Sequence, residues 1–374
     1  VKKTVNDRLR NEAIARKLFS CRYSNHVARR MVKKLNEFDT ELVTKLVMAL
    51  DDSNLSAESF TVKRFESLLS SVREINKQSV TVAFTDLADE LLILAKYEAG
   101  YYPSLFESLL PDVVLRHYPL MGITQDMIYA AMTGRPFQGK LLSEWASGLE
   151  HDRMIRINNA VRNGYLNGDS AYEIGKKIRG HATLNYSDGA LQMSRANATS
   201  IAKTAVSHLQ LIARDEFAHA NRDLIDCKQW LSTLDNKTST MCIIRDHKKY
   251  TLSGKPIGHK IPYLQGPGRI HFCCRSTENL VTKSWKELGI NANEMTVGTR
   301  ASMDGQVPAD ISYLEWLKSQ SLKRQIEILG ETRARLMRDG GMDPSTFFTD
   351  KGEFITLNKL KELDEKAFED AGYE

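Results

Sequence analysis

No apolar run in the chain approaches the ~18 residues that a membrane-spanning helix needs, so no spanning segment is expected. Cysteine is sparse, with five in all and no CxxC pair. An odd, scattered set argues against a disulfide framework and against a zinc finger of ordinary spacing. There is no GxxxxGK followed by Ser or Thr and no GxGxxG loop, which removes the usual sequence signs of a bound nucleotide or dinucleotide. The start, VKKTVNDRLR, lacks the apolar core of a secretory signal. Synthesis in a cytoplasm, with thiols reduced, is therefore expected.

What is present is a chain of 374 residues with 42% hydrophobic content, enough for two or three domains with real cores. The net charge of +5 permits an acidic partner without requiring one. The patterning predicts a mostly α protein with a small β-containing, turn-rich module and a helical tail. The expected segments are a helical N-terminal region over 1–130, a helical scaffold over 131–225, the module over 226–280 and the tail over 281–374.

The first fifty residues hold twelve Lys and Arg against five acids. Val27, Met31, Leu35 and Phe38 recur at helical spacing, a second pattern runs from Leu42 to Leu50, and Asp51 to Asn54 breaks it. Ser56 to Ala99 carries more helix, with Phe60, Phe65, Leu68 and Val72, then Phe84, Leu87, Leu91 and Leu94. The basic start reads equally as a solvated helix face or as a contact for nucleic acid or an acidic protein surface. Breaks are expected at Tyr102-Pro103, Leu110-Pro111, Pro119 and Gly122, because the residue before a proline disfavours the helical region.

A turn at Pro136–Lys140 precedes a helix over Leu141–Asn163, with Trp145, Leu149 and Met154 towards one side. Ser170 and Glu173 have capping-box spacing for a short helix that buries Ile174 and Ile178 and stops at Gly180. A long helix is expected from about Ala198 to Ile225, with a stripe of Ala202, Val206, Leu209, Ala213, Phe217, Ala220 and Leu224. Arg214, Glu216, His219 and Arg222 fall off that stripe and read as a solvated face. The Glu216/His219 ExxH fragment has no second copy to build a carboxylate-bridged metal bundle.

Asp226 to Ser276 holds four of the five cysteines and three of the nine histidines. Cys242, His247, His259, His271, Cys273 and Cys274 are all possible metal ligands. His271 and Cys274 across a turn, with Cys242, form the candidate site, and the fourth ligand is open between His247, Asp235 and Cys227. Against this stands a plain alternative, in which the cysteines are buried as small hydrophobes. Asp235 follows Trp230 in a polar run and suits an Asx-turn. Arg275 offers it a guanidinium partner that ties the module's two ends. Lys249 to Leu252, closed by Ser253-Gly254, is half of a small hairpin. Pro256, Pro262 and Pro267 keep the next segment irregular or at a sheet edge.

In the tail, residues 281 to 310 show few periodic features, with turns expected at Asp304-Gly305 and Pro308. Short helices follow around Tyr313–Leu317, Ile326 with Leu329, Glu331–Arg338, a start at Asp343-Pro344, and Leu357 to Ala371. They are expected to pack on the module or clasp a neighbouring copy. Residues 341–374 hold four bases and nine acids, so the chain runs from basic to acidic.

The module's Trp230, Ser232, Thr233, Leu234, Asp235, Thr238, Cys242, Asp246, Tyr250, Gly266, Pro267, His271, Phe272, Cys274, Arg275 and Ser276 form a spaced pattern. The pattern resembles that of the phage Mu F-like family of minor head proteins, also called the phage head morphogenesis family. His247 and Cys273 depart from that family's usual Gly and Asn, which makes them poor candidates for a shared metal site. The resemblance implies a non-enzymatic minor structural protein of a tailed-phage head. Such a protein would lie inside the virion, bound to the portal protein and to other copies of itself, and act in head assembly and in genome packaging or delivery. The structural module residues would be Trp230, Asp235, Thr238, Cys242, His271, Cys274 and Arg275. If a metal is present, structural zinc at Cys242, His271 and Cys274 with a fourth protein ligand is expected. Two alternatives remain: a nucleic-acid-binding protein with a structural metal module, which would meet packaged double-stranded DNA, and, ranked last, a metal-dependent hydrolase using His271. No paired carboxylates accompany that histidine at a readable spacing.

Overall fold

The computed structural model describes residues 4–53, 62–290, 299–302, 305–308 and 311–373. The expectations at Asn54, Phe60 and Asp304 lie outside the described residues, as do the side chains of Phe65 and Leu68. The chain is predominantly helical. Its helices are α1 Val5–Asp52, α2 Val62–Leu109, α3 Asp112–His117, α4 Gln125–Gly134, α5 Leu142–Asn167, α6 Ala171–Arg179, α7 Gln192–Ala220 and α8 Thr240–Ile243, then α9 Tyr313–Lys318, α10 Leu322–Leu329, α11 Glu331–Arg338, α12 Leu357–Leu363 and α13 Glu365–Asp370. The strands are β1 Ile225–Leu231, β2 Lys249–Tyr250, β3 Pro256–Ile257, β4 Thr277–Thr282, β5 Thr299–Ser302 and β6 Gly305–Pro308.

Two compact units are built from interleaved segments. One comprises Val1–Cys21, Tyr97–Ile128 and Gln210–Glu374; the other comprises Arg22–Lys96 and Tyr129–Leu209. The second unit is a helical packing whose core joins Leu42, Leu46, Leu50, Val72 and Ile75 to Ile157, Val161, Ile174, Ile178 and Leu191. Gly164 lets α5 and α6 approach, since a Cβ there would lie 2.4 Å from Ile174 Cγ1. Ser170 and Glu173 form the expected capping box, and α6 stops before Gly180. Pro136–Lys140 makes the expected turn, with Phe137 bridged to Lys140 and both Gln138 and Gly139 at positive φ, the geometry of a tight hairpin turn.

The first unit contains the module and the tail. Its sheet runs β3-β2-β1-β4, antiparallel throughout. Pro256 sits on the edge strand β3, the place where a missing N–H costs no ladder bond. Trp230, Cys242, Tyr250, Tyr263, Ile270 and Cys274 form one core beside this sheet. A second core joins Leu234, Ile243 and Ile244 of the module to Tyr313, Trp316, Leu329, Leu336, Phe347, Leu360 and Phe368. The tail helices therefore pack on the module.

Several expectations need correction. The helix α2 runs through Tyr102-Pro103 and ends at Leu109, so only the Leu110-Pro111 break occurs there. Tyr102 is anchored by stacking on Phe217 and by accepting from Arg214 Nε at 2.9 Å, and this packing outweighs the local bias against helix. The long helix α7 stops at Ala220, not Ile225. Asn221 turns the chain: its carbonyl accepts from Leu224 and Ile225, its side chain bonds Met121, and Ile225 opens β1. Arg214 is buried, donating to Tyr102 and Thr277 with Glu278 3.7 Å away. The quiet region 281–310 holds the end of β4 and the β5–β6 hairpin, with Gly305 and Pro308 in strand. The last helix is two, because Asp364 caps a new start by accepting from Ala367 N at 3.0 Å.

Candidate metal centre

Three segments bring the candidate ligands together. Ser239 precedes the single turn of α8, and that turn places Cys242 on its inward side. The chain then crosses β2 and β3 and returns through Tyr263 and Ile270 to His271 and Cys274. Gly266 makes this return possible: its φ is +86, and a Cβ would lie 2.7 Å from the Tyr263 hydroxyl.

One ligand atom from each of Cys242, His271 and Cys274 lies within 4.8 Å of the other two. Cys242 Sγ is 3.4 Å from His271 Nε2 and 3.6 Å from Cys274 Sγ. Both cysteines are buried and His271 is half-buried. On the other side of its ring, His271 Nδ1 lies 2.9 Å from the Phe272 carbonyl. That carbonyl can only accept, so Nδ1 carries a proton and Nε2 faces the sulfurs. The same arrangement orients metal-bound histidines. Hydrogen bonding to Cys274, then burial, raises the Cys242 thiol well above its usual range. Burial pushes Cys274 the same way, but hydrogen bonds from Cys242 and His271 outweigh it and hold Cys274 well below. Two sulfurs and an imidazole are a donor set that zinc and other borderline or soft cations accept.

None of the three candidates for a fourth ligand belongs to this cluster among the described residues. Cys227 lies three residues before Trp230 on β1, and an odd step on a strand points to the opposite face. Asp235 is engaged elsewhere: its Oδ2 lies 2.6 Å from Arg275, and its Oδ1 accepts from Lys237 N and Thr238 Oγ1. The Asx-turn and the tie between the module's ends are therefore both present. His247 is held in the turn after α8 by its backbone N–H to Trp230 O and has a left-handed φ of 61°. Among the described residues the cluster itself supplies three ligands. Ser239, not singled out in the sequence, stands on the remaining side with Oγ 2.8 Å from His271 Nε2. Its only sequence sign is a serine where a helix N-cap belongs.

Two other residues that sequence reasoning passed over hold the module. Asp246 accepts from Ser232 N at 2.6 Å and, through its other oxygen, from Tyr313 N at 2.8 Å. In the sequence it stands only within a spaced pattern, and a lone Asp gives no sign of bridging 67 residues. Arg245 is fully buried, donating to Pro262 O and Met241 O beside the Trp230 ring. Trp230 is packed edge-on to Tyr263, and Thr238 Oγ1 donates to Thr233 O at 2.6 Å. Cys273 is exposed, and Glu216 and His219 form no metal cluster among the described residues.

The arrangement defines a small antiparallel sheet closed by a Cys, His, Cys cluster. No family model matches the chain, and no curated protein or solved structure matches it either.

Proposed function

We propose that this chain is a binding and assembly protein, not an enzyme, and that a single zinc ion closes its module at Cys242, His271 and Cys274. One observation carries the reading: two sulfurs and an imidazole nitrogen converge within 4.8 Å, with Nδ1 held by the Phe272 carbonyl so that Nε2 faces the sulfurs. A bound metal would cross-link α8 to the returning loop and add its binding free energy to that of folding. Water or Ser239 would complete the tetrahedron. The test is metal analysis of protein purified from zinc-replete cells, followed by cobalt substitution. One metal per chain and thiolate-to-cobalt charge-transfer absorption are expected. A metal-free protein that takes up neither ion would overturn the reading.

Two partners fit such a module. The nucleic-acid reading is supported by twelve basic against six acidic residues over 201–275, a balance suited to sequence-independent contact with duplex DNA. The minor head protein reading is supported by where the resembling positions fall. Trp230, Cys242, Tyr250 and Cys274 are core, Asp246 bridges to the tail, and Asp235 pairs with Arg275. The pattern is thus a signature of how the module holds together, and it carries the resemblance without implying catalysis. Mass spectrometry and reconstruction of purified particles test this reading, with a low-copy component inside the head at the portal expected. Absence from particles would reject a lasting virion role.

A further inference from the structure

We infer that an open groove in the helical unit, remote in sequence from the module, is a binding track for the phosphodiester backbone of a nucleic acid. The groove has a volume of 640 Å³ and is lined along one wall by Asn25, Arg29, Lys33 and Thr40 of α1. Its other wall brings Arg179 from the end of α6, Tyr186 from the following turn, and Thr199 and Lys203 from α7. The inference extends the nucleic-acid reading to a site outside the module.

Charge decides the ligand class. Arg29, Lys33, Arg179 and Lys203 face the groove against a single carboxylate, Glu37. Glu37 is already shared between Lys33 and Lys34, at 3.9 and 3.6 Å. Among the described residues no ion pair engages Arg29 or Lys203. More positive charge is buried in the same unit. Arg153 and Arg195 both bond the one carboxylate of Asp39, and all three side chains are buried. That cluster has one cation in excess, and Arg195 connects it to the groove by donating to the Tyr186 carbonyl at 3.2 Å. Fixed cations in a low-dielectric wall raise the local attraction for anions.

Shape and side-chain chemistry decide the source. The α1 wall covers Asn25 to Thr40. At 1.5 Å per residue it is roughly 22 Å long, which spans several successive phosphates of one strand at about 3.4 Å each. A single phosphate group would leave most of it unused. The Tyr186 ring is approached by Arg179 at 4.9 Å and by Arg195 at 5.3 Å, and its hydroxyl accepts from Arg179. It is committed to these guanidinium groups and not free as a stacking platform. The groove therefore suits the backbone and not the bases, and binding should be indifferent to sequence.

The test uses the full chain and a fluorescent 20-base-pair duplex, with affinity measured from 50 to 200 mM salt. Binding that weakens steeply with salt is expected. Arg29→Glu with Lys203→Glu should weaken it by about tenfold or more at the lowest salt and reduce the log–log salt slope by about two, near 0.9 per lost phosphate contact. Arg29→Gln with Lys33→Gln, on the exposed α1 face, is the second variant if the first fails to fold. Lys237→Glu with Lys260→Glu in the module is the charge-matched control. If the module pair abolishes binding while the groove pairs leave it unchanged, the groove proposal fails and the nucleic-acid reading stands. No binding by the intact chain at low salt overturns both. Inorganic tripolyphosphate is titrated in parallel. If it binds and duplex DNA cannot compete with it, the ligand is a small polyphosphate and the backbone assignment is overturned.

Discussion

Removing the Arg275 side chain tests whether the module is tied end to end. Its guanidinium lies 2.6 Å from Asp235 Oδ2, while Asp235 is 7% exposed. The Arg275 backbone is tied as well, since its carbonyl accepts from Thr233 Oγ1 at 2.6 Å. In Arg275→Ala the backbone bond survives, and Asp235 keeps its bonds from Lys237 N and Thr238 Oγ1. Breaking a fully buried pair costs about 3–5 kcal/mol. The Arg275 side chain is 35% exposed, so water screens part of the loss. A charged hydrogen bond of about 1.5–3 kcal/mol is the better guide, and a loss of about 2 kcal/mol follows. For a unit of this size that is a fall of roughly 4–8 °C in melting temperature. Trp230, Trp285 and Trp316 all belong to the unit that contains the module, so fluorescence-detected unfolding reports on it. A double-mutant cycle with Asp235→Asn isolates the pair. A coupling energy below about 0.3 kcal/mol, within the additivity of independent sites, would refute the tie.

Four further outcomes are expected. Cys274→Ser should abolish stoichiometric metal and lower the melting temperature of metal-replete protein towards that of chelator-treated wild type; unchanged metal content would exclude Cys274 as a ligand. Metal affinity should fall as pH falls, because Cys242 holds its proton in the metal-free cluster and must release it on ligation; competition titrations between pH 6 and 8 should show about tenfold weakening per unit for each proton released. Arg214→Ala leaves Glu278 buried with its cation gone and should cost about 3–5 kcal/mol, read by urea denaturation, and a loss under 1 kcal/mol would mean water compensates. Gly352→Ala should destabilise by about 1–3 kcal/mol, since φ is +87 and the new Cβ would lie 2.5 Å from Met241 Cα, read as a lower melting temperature.

Local and periodic features were legible in the chain itself. The stripe Val27, Met31 and Leu35 and the stripe Leu87, Leu91 and Leu94 are buried, because a 3.6-residue repeat records which helix face meets a core. The caps at Ser170 and Asp343 and the edge position of Pro256 were legible for the same reason: each depends on a few neighbouring residues. The trio Cys242, His271 and Cys274 was also readable, since few residue types bind soft metals and they cluster in one short stretch. Tertiary packing decided the rest. It carried α2 through Pro103, because the Tyr102 contacts with Phe217 and Arg214 outweigh a local preference. It buried Arg214, because Tyr102 and Thr277 satisfy it from segments distant in sequence. It also placed Arg29, Arg179 and Lys203 around one groove. Helical periodicity records which side of each helix is buried. It contains no term for which helix lies opposite, and so the cations of three separate helices could meet only in the folded chain.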